Sequence, residues 1–209
     1  MVLMAMGDNK GLNFVLIFVQ IGKVRDDNRF KIGSAGRLVG VKDFSLLIEI
    51  ANMVHVKEKN IEFYIAGEGP EYNKLSSLIS KYHLNNVVFL EGHIQNMLPF
   101  YKKLDVYINT SIHEGIPMTV LEAMDHGLPV IAPHVGGIPE IINNGSEGFL
   151  IDNRSPKSFV NSCIKLYEDK KLYEKCSIAA ATRVKNSFSV NSMESNYFNL
   201  YRNIIESKI

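Results

Sequence analysis

Two glutamates in one short segment are the acidic residues best placed to do chemistry. Glu114 lies in a glycine- and proline-rich loop, and Glu122 follows eight positions later in a helical pattern. If both residues were helical, roughly 12 Å of helix axis would separate them, whereas the paired carboxylates of glycosidases lie about 5–9.5 Å apart. The spacing therefore favours two acceptors that bind hydroxyls at opposite ends of a long ligand. From spacing alone, a pair of solvated surface charges remains an equal alternative.

Two cations form the second candidate group. Arg37 and Lys42 flank the turn after the first predicted strand. A guanidinium can bind two oxygens of a diphosphate and an ammonium adds a mobile point charge, and each charge-assisted hydrogen bond contributes roughly 1.5–3 kcal/mol. Such a pair could stabilise a departing nucleoside diphosphate. Two cations in a turn are also common as plain surface charges, and the residues alone leave both interpretations open.

The segment that carries both acids has the pattern of a β–α–β unit. Apolar runs at 105–109 and 128–132 flank a loop at 113–116 and a helical pattern. Because proline is tolerated in a first helical turn, we expect the helix to begin at Pro117. The loop then meets a helix N-terminus at the carboxyl end of a strand, where an open α/β sheet binds ligands and free N–H groups favour an anion. A nucleoside-diphosphate sugar, with an anion between two hydroxylated ends, has the matching layout.

The rest of the chain alternates between short apolar runs and helical patterns. Predicted strands cover 30–35, 61–66, 87–90, 105–109, 128–132 and 148–151. Predicted helices cover 42–57, 71–82, 94–103 with an interruption near Pro99, 117–124, 136–142, 155–169, 171–186 and a last one from about 191. This alternation predicts an α/β fold, a doubly wound (Rossmann-like) parallel sheet of about six strands with C-terminal helices.

Residues 30–209 are predicted to form one domain, and residues 1–29 an N-terminal extension or linker whose structure the sequence leaves open. The last helix carries an apolar stripe of a kind that usually faces a core. The stripe consists of Met193, Tyr197, Leu200, Tyr201 and Ile204. Its alternative role is docking on a neighbouring domain.

Composition narrows the functional classes. The 209 residues are 46% hydrophobic and 22% charged with a net charge of +1, so there is no electrostatic case for a nucleic-acid partner. Cys163 and Cys176 lack any metal- or disulfide-type spacing, which favours reduced thiols and a cytoplasmic location. The apolar run Leu12–Ile21 is too short to span a bilayer. The six histidines show no metal-ligand spacing, so no metal site is expected.

Two glycine motifs fall at predicted strand–helix turns. Gly67 and Gly69 begin like a dinucleotide-binding fingerprint, but Tyr72 occupies the position of the third glycine, so an NAD site is disfavoured. We expect these glycines to permit a tight turn and close approach of a ligand. Gly136 and Gly137 are expected to form a flexible turn before a short helix.

Four motifs in register resemble the donor-binding, C-terminal half of a family 4 retaining glycosyltransferase, which has the two-Rossmann GT-B architecture. The resemblance covers about residues 30–205. The motifs are Gly36-Arg37-Leu38 with Lys42, Gly67-Glu68-Gly69-Pro70, Glu114 and Glu122 with seven residues between them, and Gly136-Gly137-Ile138-Pro139-Glu140 followed by Gly148.

The resemblance implies a role for each charged residue. Arg37 and Lys42 would bind the donor diphosphate and stabilise it as the leaving group. Glu114 would bind hydroxyls of the transferred sugar, which makes these three the expected catalytic residues. Glu122 would bind the ribose. Retention is thought to proceed by same-face attack, with the departing phosphate accepting the acceptor's proton.

The resemblance also implies main-chain contacts to a UDP- or GDP-type hexosyl donor, without a metal or other cofactor. Further expected donor-binding positions are Gly36, Gly67, Gly115, Ile116, Met118 and Thr119, with His93 and Ile94 reading the base. The sequence departs from the family pattern at Pro117, which cannot donate an N–H, and at Asp125 and His126, whose effect on the donor pocket is open.

The family's N-terminal, acceptor-binding domain is not found in residues 1–29. We therefore expect this chain to act with such a domain in cis or in trans, and any peripheral membrane association to come through it. The expected reaction moves a hexosyl unit to a glycan or lipid-linked acceptor. The alternatives are a non-catalytic nucleotide-sugar binding subunit and an epimerase or phosphorylase of related architecture, although the sequence offers no pyridoxal phosphate signature.

Overall fold

Six parallel strands form the sheet, in the order β3-β2-β1-β4-β5-β6. The computed structural model describes residues 29–206, so the predicted extension, apart from Arg29, lies outside the described residues. The strands are β1 (Phe30–Ala35), β2 (Ile61–Ala66), β3 (Val88–Gly92), β4 (Val106–Ile108), β5 (Val130–Pro133) and β6 (Gly148–Ile151). The predicted doubly wound α/β fold is confirmed.

Eight α-helices connect and follow the strands within the described residues. They are α1 (Phe44–Lys57), α2 (Tyr72–Lys81), α3 (Leu98–Lys103), α4 (Met118–Asp125), α5 (Ile138–Ile141), α6 (Pro156–Glu168), α7 (Lys170–Ser187) and α8 (Val190–Glu206). None of the helices within 29–206 combines the length and the hydropathy that a bilayer crossing needs.

The sheet is buried on both faces, as parallel sheets usually are. Successive residues of β4 alternate between two apolar clusters, with Val106 and Ile108 in one and Tyr107 in the other. Helices α1, α2 and α6 supply the first cluster, α3, α4 and α5 supply the second, and α7 contributes to both. Full burial of an aliphatic side chain such as Ile131 contributes about 1.5–3 kcal/mol. The layers hold the strand ends, and hence the loops between them, in fixed positions.

Several predicted helix starts differ from the structure, and two of them involve proline. Helix α3 begins at Leu98 with Pro99 in its first turn, so this proline opens the helix instead of interrupting it. Pro117 has an extended backbone (ψ 111°) and precedes α4, which begins at Met118. Lys42 ends a short 3-10 turn and lies outside α1. Pro117 and Lys42 therefore belong to loops at the edge of the sheet.

The core-facing interpretation of the last helix was also wrong. None of the described side chains of α8 is buried, and Tyr197 and Tyr201 are 54% and 61% exposed. Helical periodicity identifies an apolar face but does not say what covers it. The two cysteines, in contrast, lie buried and free on α6 and α7, as expected.

The direction of chain winding reverses between β1 and β4. From β1 the chain proceeds outward through β2 to β3, and then returns to place β4 on the other side of β1. In open α/β sheets, ligands bind at such a reversal, outside the carboxyl ends of the strands. The loops after β1 and β4 carry Lys42 and Glu114 to this crevice.

Candidate functional site

An ion pair joins the two loops at the crevice. Lys42 Nζ donates to Glu114 Oε1 at 2.7 Å, although the two residues are 72 positions apart in sequence. The Glu114 side chain is only 9% exposed and that of Lys42 is 25% exposed. The sequence-predicted cation and acid are therefore in direct contact.

Two more donors hold the same carboxylate oxygen. Ser111 Oγ and Asn109 Nδ2 donate to Glu114 Oε1 at 2.6 and 3.2 Å. Burial opposes ionisation of Glu114, but the hydrogen bonds from Lys42, Ser111 and Asn109 outweigh it, and the pKa of the carboxyl is lowered. Glu114 is thus held as a carboxylate. The three donors converge on Oε1.

Close contact with Gly136 and Gly137 fixes the backbone of the loop that carries Glu114. Gly136 has a φ of +52°, and a Cβ there would collide with the carbonyl oxygen of Glu114. The next amide, Gly137 N, donates to Gly115 O at 3.1 Å. The flexible turn predicted at this position is therefore a close contact between two loops, and only glycine fits it.

Arg37 lines a cleft beside the ion pair. The cleft has a volume of about 330 Å³ and lies at the carboxyl ends of β1 and β2, against the first turn of α4. Its lining includes six sequence-predicted site residues, Gly36, Arg37, Gly67, His93, Ile94 and Thr119. A Cβ placed on Gly36 would lie 3.5 Å from Lys42 Cε, so the lysine stem adjoins the cleft. The cations and Glu114 thus share one neighbourhood.

Gly67 is required by packing of one loop on another. Its φ is +140°, and a Cβ there would collide with the carbonyl oxygen of Gly36. Gly67 N also donates to Gly92 O at 2.7 Å. The loops after β1, β2 and β3 therefore form one surface. The sequence predicted that Gly67 permits close approach of a ligand, but it did not predict this packing of loop on loop.

Glu122 is held in a different way, on the helix that follows the loop. It is exposed, and its Oε2 accepts a hydrogen bond from Tyr101 OH at 2.7 Å. The Tyr101 ring stacks on His126 with 5.3 Å between ring centroids. Burial raises the pKa of Tyr101, aided by Tyr107 and Glu122, so the phenol stays a donor. Glu122 is one turn from Thr119 and is not among the residues that line the cleft.

The remaining predicted positions lie at the rim. Gly115 is exposed, and Ile116 and Met118 are 50% and 63% exposed. The first intrahelical hydrogen bond of α4 runs from Val120 N to Pro117 O at 3.0 Å. The amides of Met118 and Thr119 precede it, so their N–H groups have no partner within the helix. They are available to an anion at the mouth of the cleft.

Sequence reasoning missed several residues that support the site. Tyr107 OH accepts from Ala35 N at 3.0 Å and donates to Ala35 O at 3.1 Å, which fixes the end of β1. Burial raises the pKa of Tyr107 to about 12. Asn109 and Ser111 lie close to Glu114 in sequence, and their polar character at a strand end was the available signal. Tyr101 gave no signal because its partner lies 21 positions away.

The topology and the switch-point crevice define this chain as a Rossmann-like α/β domain. It belongs to the Glycosyl transferases group 1 family, whose sequence model matches residues 20–183. Within that family it corresponds to the C-terminal domain of the GT-B fold.

Relatives and solved structures agree with this assignment. Poly(ribitol-phosphate) alpha-N-acetylglucosaminyltransferase of Staphylococcus aureus (strain COL) is 27% identical over 171 residues, which cover 81% of this chain and 35% of the relative. An Escherichia coli UDP-Gal:alpha-D-GlcNAc-diphosphoundecaprenol alpha-1,3-galactosyltransferase is 27% identical over 186 residues, covering 87% and 47%. The chain therefore spans less than half the length of these curated relatives.

Two crystal structures illustrate the match in three dimensions. A point mutant of S. aureus TarM, in complex with Fondaparinux, alpha-GlcNAc-glycerol and UDP, superposes with a TM-score of 0.78 at 26% identity over 88% of this chain and 38% of that one. The C-terminal domain of the group 1 family protein LpcC from Francisella tularensis superposes with a TM-score of 0.71 at 25% identity, over 77% of this chain and 87% of that one.

Proposed function

We propose that this chain is the donor-binding half of a family 4 retaining glycosyltransferase. It would move a hexosyl unit from a UDP- or GDP-sugar to a glycan or lipid-linked acceptor. The observation that carries the proposal is the Lys42–Glu114 ion pair at the switch point, next to the cleft that Arg37 lines. UDP is the first probe, because UDP is bound in the TarM structure and UDP-Gal is named as the donor of the E. coli relative.

In this proposal each charged group has a separate task. An ammonium has three donors, and Lys42 gives one to Glu114, so two remain for phosphate oxygens. Arg37 supplies a guanidinium to the diphosphate from the neighbouring cleft. Glu114 Oε2 accepts from a sugar hydroxyl, and Glu122 Oε1 accepts from the ribose. The site would thus bind both ends of the donor and its anionic middle.

The chemical step we propose needs no side-chain base. The bond between the anomeric carbon and the phosphate oxygen breaks, and the acceptor oxygen forms a new bond to that carbon on the same face. The acceptor's proton passes to the departing phosphate. Arg37, Lys42 and the first-turn amides of α4 stabilise the charge that develops on the leaving group, a task that a divalent cation performs in other enzymes.

The second substrate would be held by an acceptor-binding domain in cis or in trans. The exposed apolar side chains of α8, such as Tyr197, Leu200 and Tyr201, suit contact with such a domain, since more than half of each cited curated relative lies outside the matched region. A non-catalytic binding subunit is the second candidate. Action together with another chain is supported by the 31% identity, over 154 residues, to a Streptococcus agalactiae N-acetylglucosaminyltransferase that is named as the GtfA subunit.

We also propose a cytoplasmic location. Cys163 and Cys176 are buried, free thiols on separate helices. Burial raises the pKa of Cys163 to about 12, so this thiol is not poised for oxidation. Free thiols of this kind are typical of reducing compartments. Fractionation of cells that express the tagged chain would test the location.

Calorimetric titration of the purified chain tests donor binding. UDP, GDP, ADP and their sugars would be compared on the wild-type chain, with Lys42→Ala and Arg37→Ala as variants. We expect UDP or GDP to bind and each variant to weaken that binding about tenfold or more, because each removes a charge-assisted contact. Lys170→Ala is the control, since Lys170 is 79% exposed on α7 and pairs at 4.0 Å with Glu174. Absence of nucleotide binding, or equal binding by wild type and both variants, contradicts the proposal.

Product analysis separates the two candidate functions. The chain would be mixed with the acceptor-binding half from a related group 1 glycosyltransferase, together with UDP-sugar and acceptor. Transfer that depends on both halves and is lost in Lys42→Ala supports the catalytic role. Nucleotide binding without transfer in any such mixture supports the binding-subunit role.

A further inference from the structure

Arg154 contacts both loops of the candidate site from a third loop, the one between β6 and α6. Its Nη2 atom donates to Asp43 Oδ2 at 2.5 Å and to Thr110 O at 2.9 Å. Asp43 is in the loop after β1, and Thr110 is in the loop after β4. One guanidinium nitrogen therefore connects the loop of Lys42 with the loop of Glu114.

Both residues that Arg154 holds are in contact with the backbone of Lys42. Asp43 is the next residue in the chain, and Thr110 Oγ1 donates to Lys42 O at 3.1 Å. A further bond, from Ile112 N to Val41 O at 2.8 Å, joins the same two loops. The main chain of Lys42 is thus held from both sides, and its side chain reaches Glu114 from that anchored position.

The contacts of Arg154 require backbone strain and a buried unpaired donor, which a simple surface ion pair does not. Asp43 has a φ of +46° and Arg154 a φ of +50°, a left-handed conformation that is unfavourable for residues with side chains. Arg154 Nε is also buried without a hydrogen-bond partner. Asp43 caps α1 through its other oxygen, Oδ1, which accepts from Leu46 N at 3.2 Å. Capping α1 therefore does not require Arg154.

We propose that Arg154 is a positioning residue, which fixes Asp43 and Thr110 so that Lys42 is held for the donor diphosphate. The proposal rests on the proposed function of the site. It assigns Arg154 no contact with the ligand. Without the guanidinium, Lys42 would still be present, but it would no longer be held in the orientation that the diphosphate needs.

The principal test uses Arg154→Gly, because glycine adopts the left-handed backbone of this position without penalty while the whole side chain, guanidinium included, is removed. In UDP titrations followed by calorimetry, we expect binding to weaken about three- to tenfold. We expect Arg154→Lys to recover part of the loss, because lysine restores a charge but not the two-way contact of a guanidinium. Unchanged UDP affinity in Arg154→Gly, in a chain whose Lys42→Ala variant binds UDP about tenfold more weakly than wild type, overturns the inference and leaves the proposed function standing.

A double-mutant cycle separates positioning from general loosening of the fold. Once Lys42 is alanine, there is no ammonium to position, so adding Arg154→Gly should weaken UDP binding by less than twofold more. Effects that multiply in the double variant would mean that Arg154 acts independently of Lys42, and would overturn the inference. The same titrations on GDP cover the alternative donor base.

A matched pair of cap variants controls for helix stability. Asp43→Asn and Asp169→Asn make the same change at the N-cap residues of α1 and α7, whose side chains both accept a main-chain hydrogen bond. Asp169 is remote from the site, because the first turn of α7 packs through Tyr173 against Phe30, at the amino end of β1. We expect only Asp43→Asn to weaken UDP binding. Equal weakening in both variants contradicts a positioning role.

A ligand-independent measurement keeps the inference testable if the chain binds no nucleotide. The carboxyl resonance of Glu114, assigned with Glu114→Gln, would be followed by NMR as a function of pH. If Arg154 orients Lys42, the pKa of Glu114 in Arg154→Gly rises toward its value in Lys42→Ala. A Glu114 pKa equal to that of wild type contradicts the inference, whatever the fate of the proposed function.

Discussion

Glu114 and Glu122 come from one stretch of sequence, and the fold holds the two carboxylates by different means. Glu114 is 9% exposed and its Oε1 receives three side-chain donors, one of them charged. Glu122 is exposed on α4 and accepts from one neutral phenol, that of Tyr101. A buried charge needs several partners to offset its loss of water, whereas an exposed one does not.

This difference shows which half of the site depends on tertiary structure for its stability. The partners of Glu114 come from two loops that meet only in the folded sheet, so this half of the site depends on tertiary structure. The position of Glu122 follows from one helix, and its hydrogen bond adds local orientation. Substitutions around Glu114 should therefore affect folding and binding together, and those around Glu122 should affect binding with a small effect on folding.

The largest effect on stability is expected where a side chain would break the loop contact behind Glu114. Gly136→Ala places a methyl group against the Glu114 carbonyl oxygen in a left-handed conformation, and we expect a loss of about 3 kcal/mol in the free energy of unfolding. Gly145→Ala is the control, because Gly145 has a φ of +81° with open space around its Cβ position, and should lose only about 1–2 kcal/mol. Urea unfolding of both variants would measure this. Equal losses would mean that the close contact adds nothing.

Removal of the charged donor is expected to come next. Lys42→Ala leaves Glu114 in its buried position without its cation, and we expect a loss of about 1.5–3 kcal/mol in the free energy of unfolding. The exposed pair of Lys170 and Glu174 gives the comparison, and Lys170→Ala should lose less than about 0.5 kcal/mol. Thermal unfolding of the two variants would show the difference. Similar shifts would contradict the view that Glu114 depends on Lys42.

Acid should remove the contribution of Glu114 selectively. Its folded-state pKa is lowered from the ordinary value of 4.5, so the stability it contributes is present above 4.5 and is lost as pH falls through the lowered value. The difference in unfolding free energy between wild type and Glu114→Gln should be constant at neutral pH and shrink as the pH falls below 4.5. Urea titrations at a series of pH values would test this. A difference that grows in acid would reverse the assigned direction.

A smaller effect on stability is expected when the residue that holds Glu122 is changed. Tyr101→Phe removes the hydroxyl that holds Glu122, and we expect a loss of about 1 kcal/mol in unfolding free energy with a few-fold loss of UDP affinity. A loss as large as that of Lys42→Ala would remove the contrast between the two acids.

The smallest effect is expected on α8, although its apolar stripe resembles a core surface. Leu200 is 52% exposed, so Leu200→Ser should change the free energy of unfolding by no more than about 0.5 kcal/mol. Leu166→Ser, at a residue of α6 that is 1% exposed, is the comparison and should be strongly destabilising. A large loss at Leu200 would mean that α8 has a partner in the isolated chain.

The strands and helices could be predicted from local sequence pattern, because their apolar residues recur at the spacing typical of each element. The sequence also identified Arg37, Lys42 and the two acids as the charged candidates. It could not show that Lys42 contacts Glu114, since 72 residues separate them in the sequence. Nor could it find Arg154, whose partners Asp43 and Thr110 are 111 and 44 positions away. The exposure of α8 escaped prediction because periodicity marks an apolar face without its partner.

The most direct measurement is a crystal structure of the chain with UDP. We predict that the pyrophosphate lies at the first turn of α4, with its oxygens about 2.7–3.2 Å from Lys42 Nζ and the Arg37 guanidinium. We also predict that the Lys42–Glu114 contact persists when the nucleotide is bound. A nucleotide found elsewhere on the domain, or a pyrophosphate that contacts neither cation, would contradict the central claim.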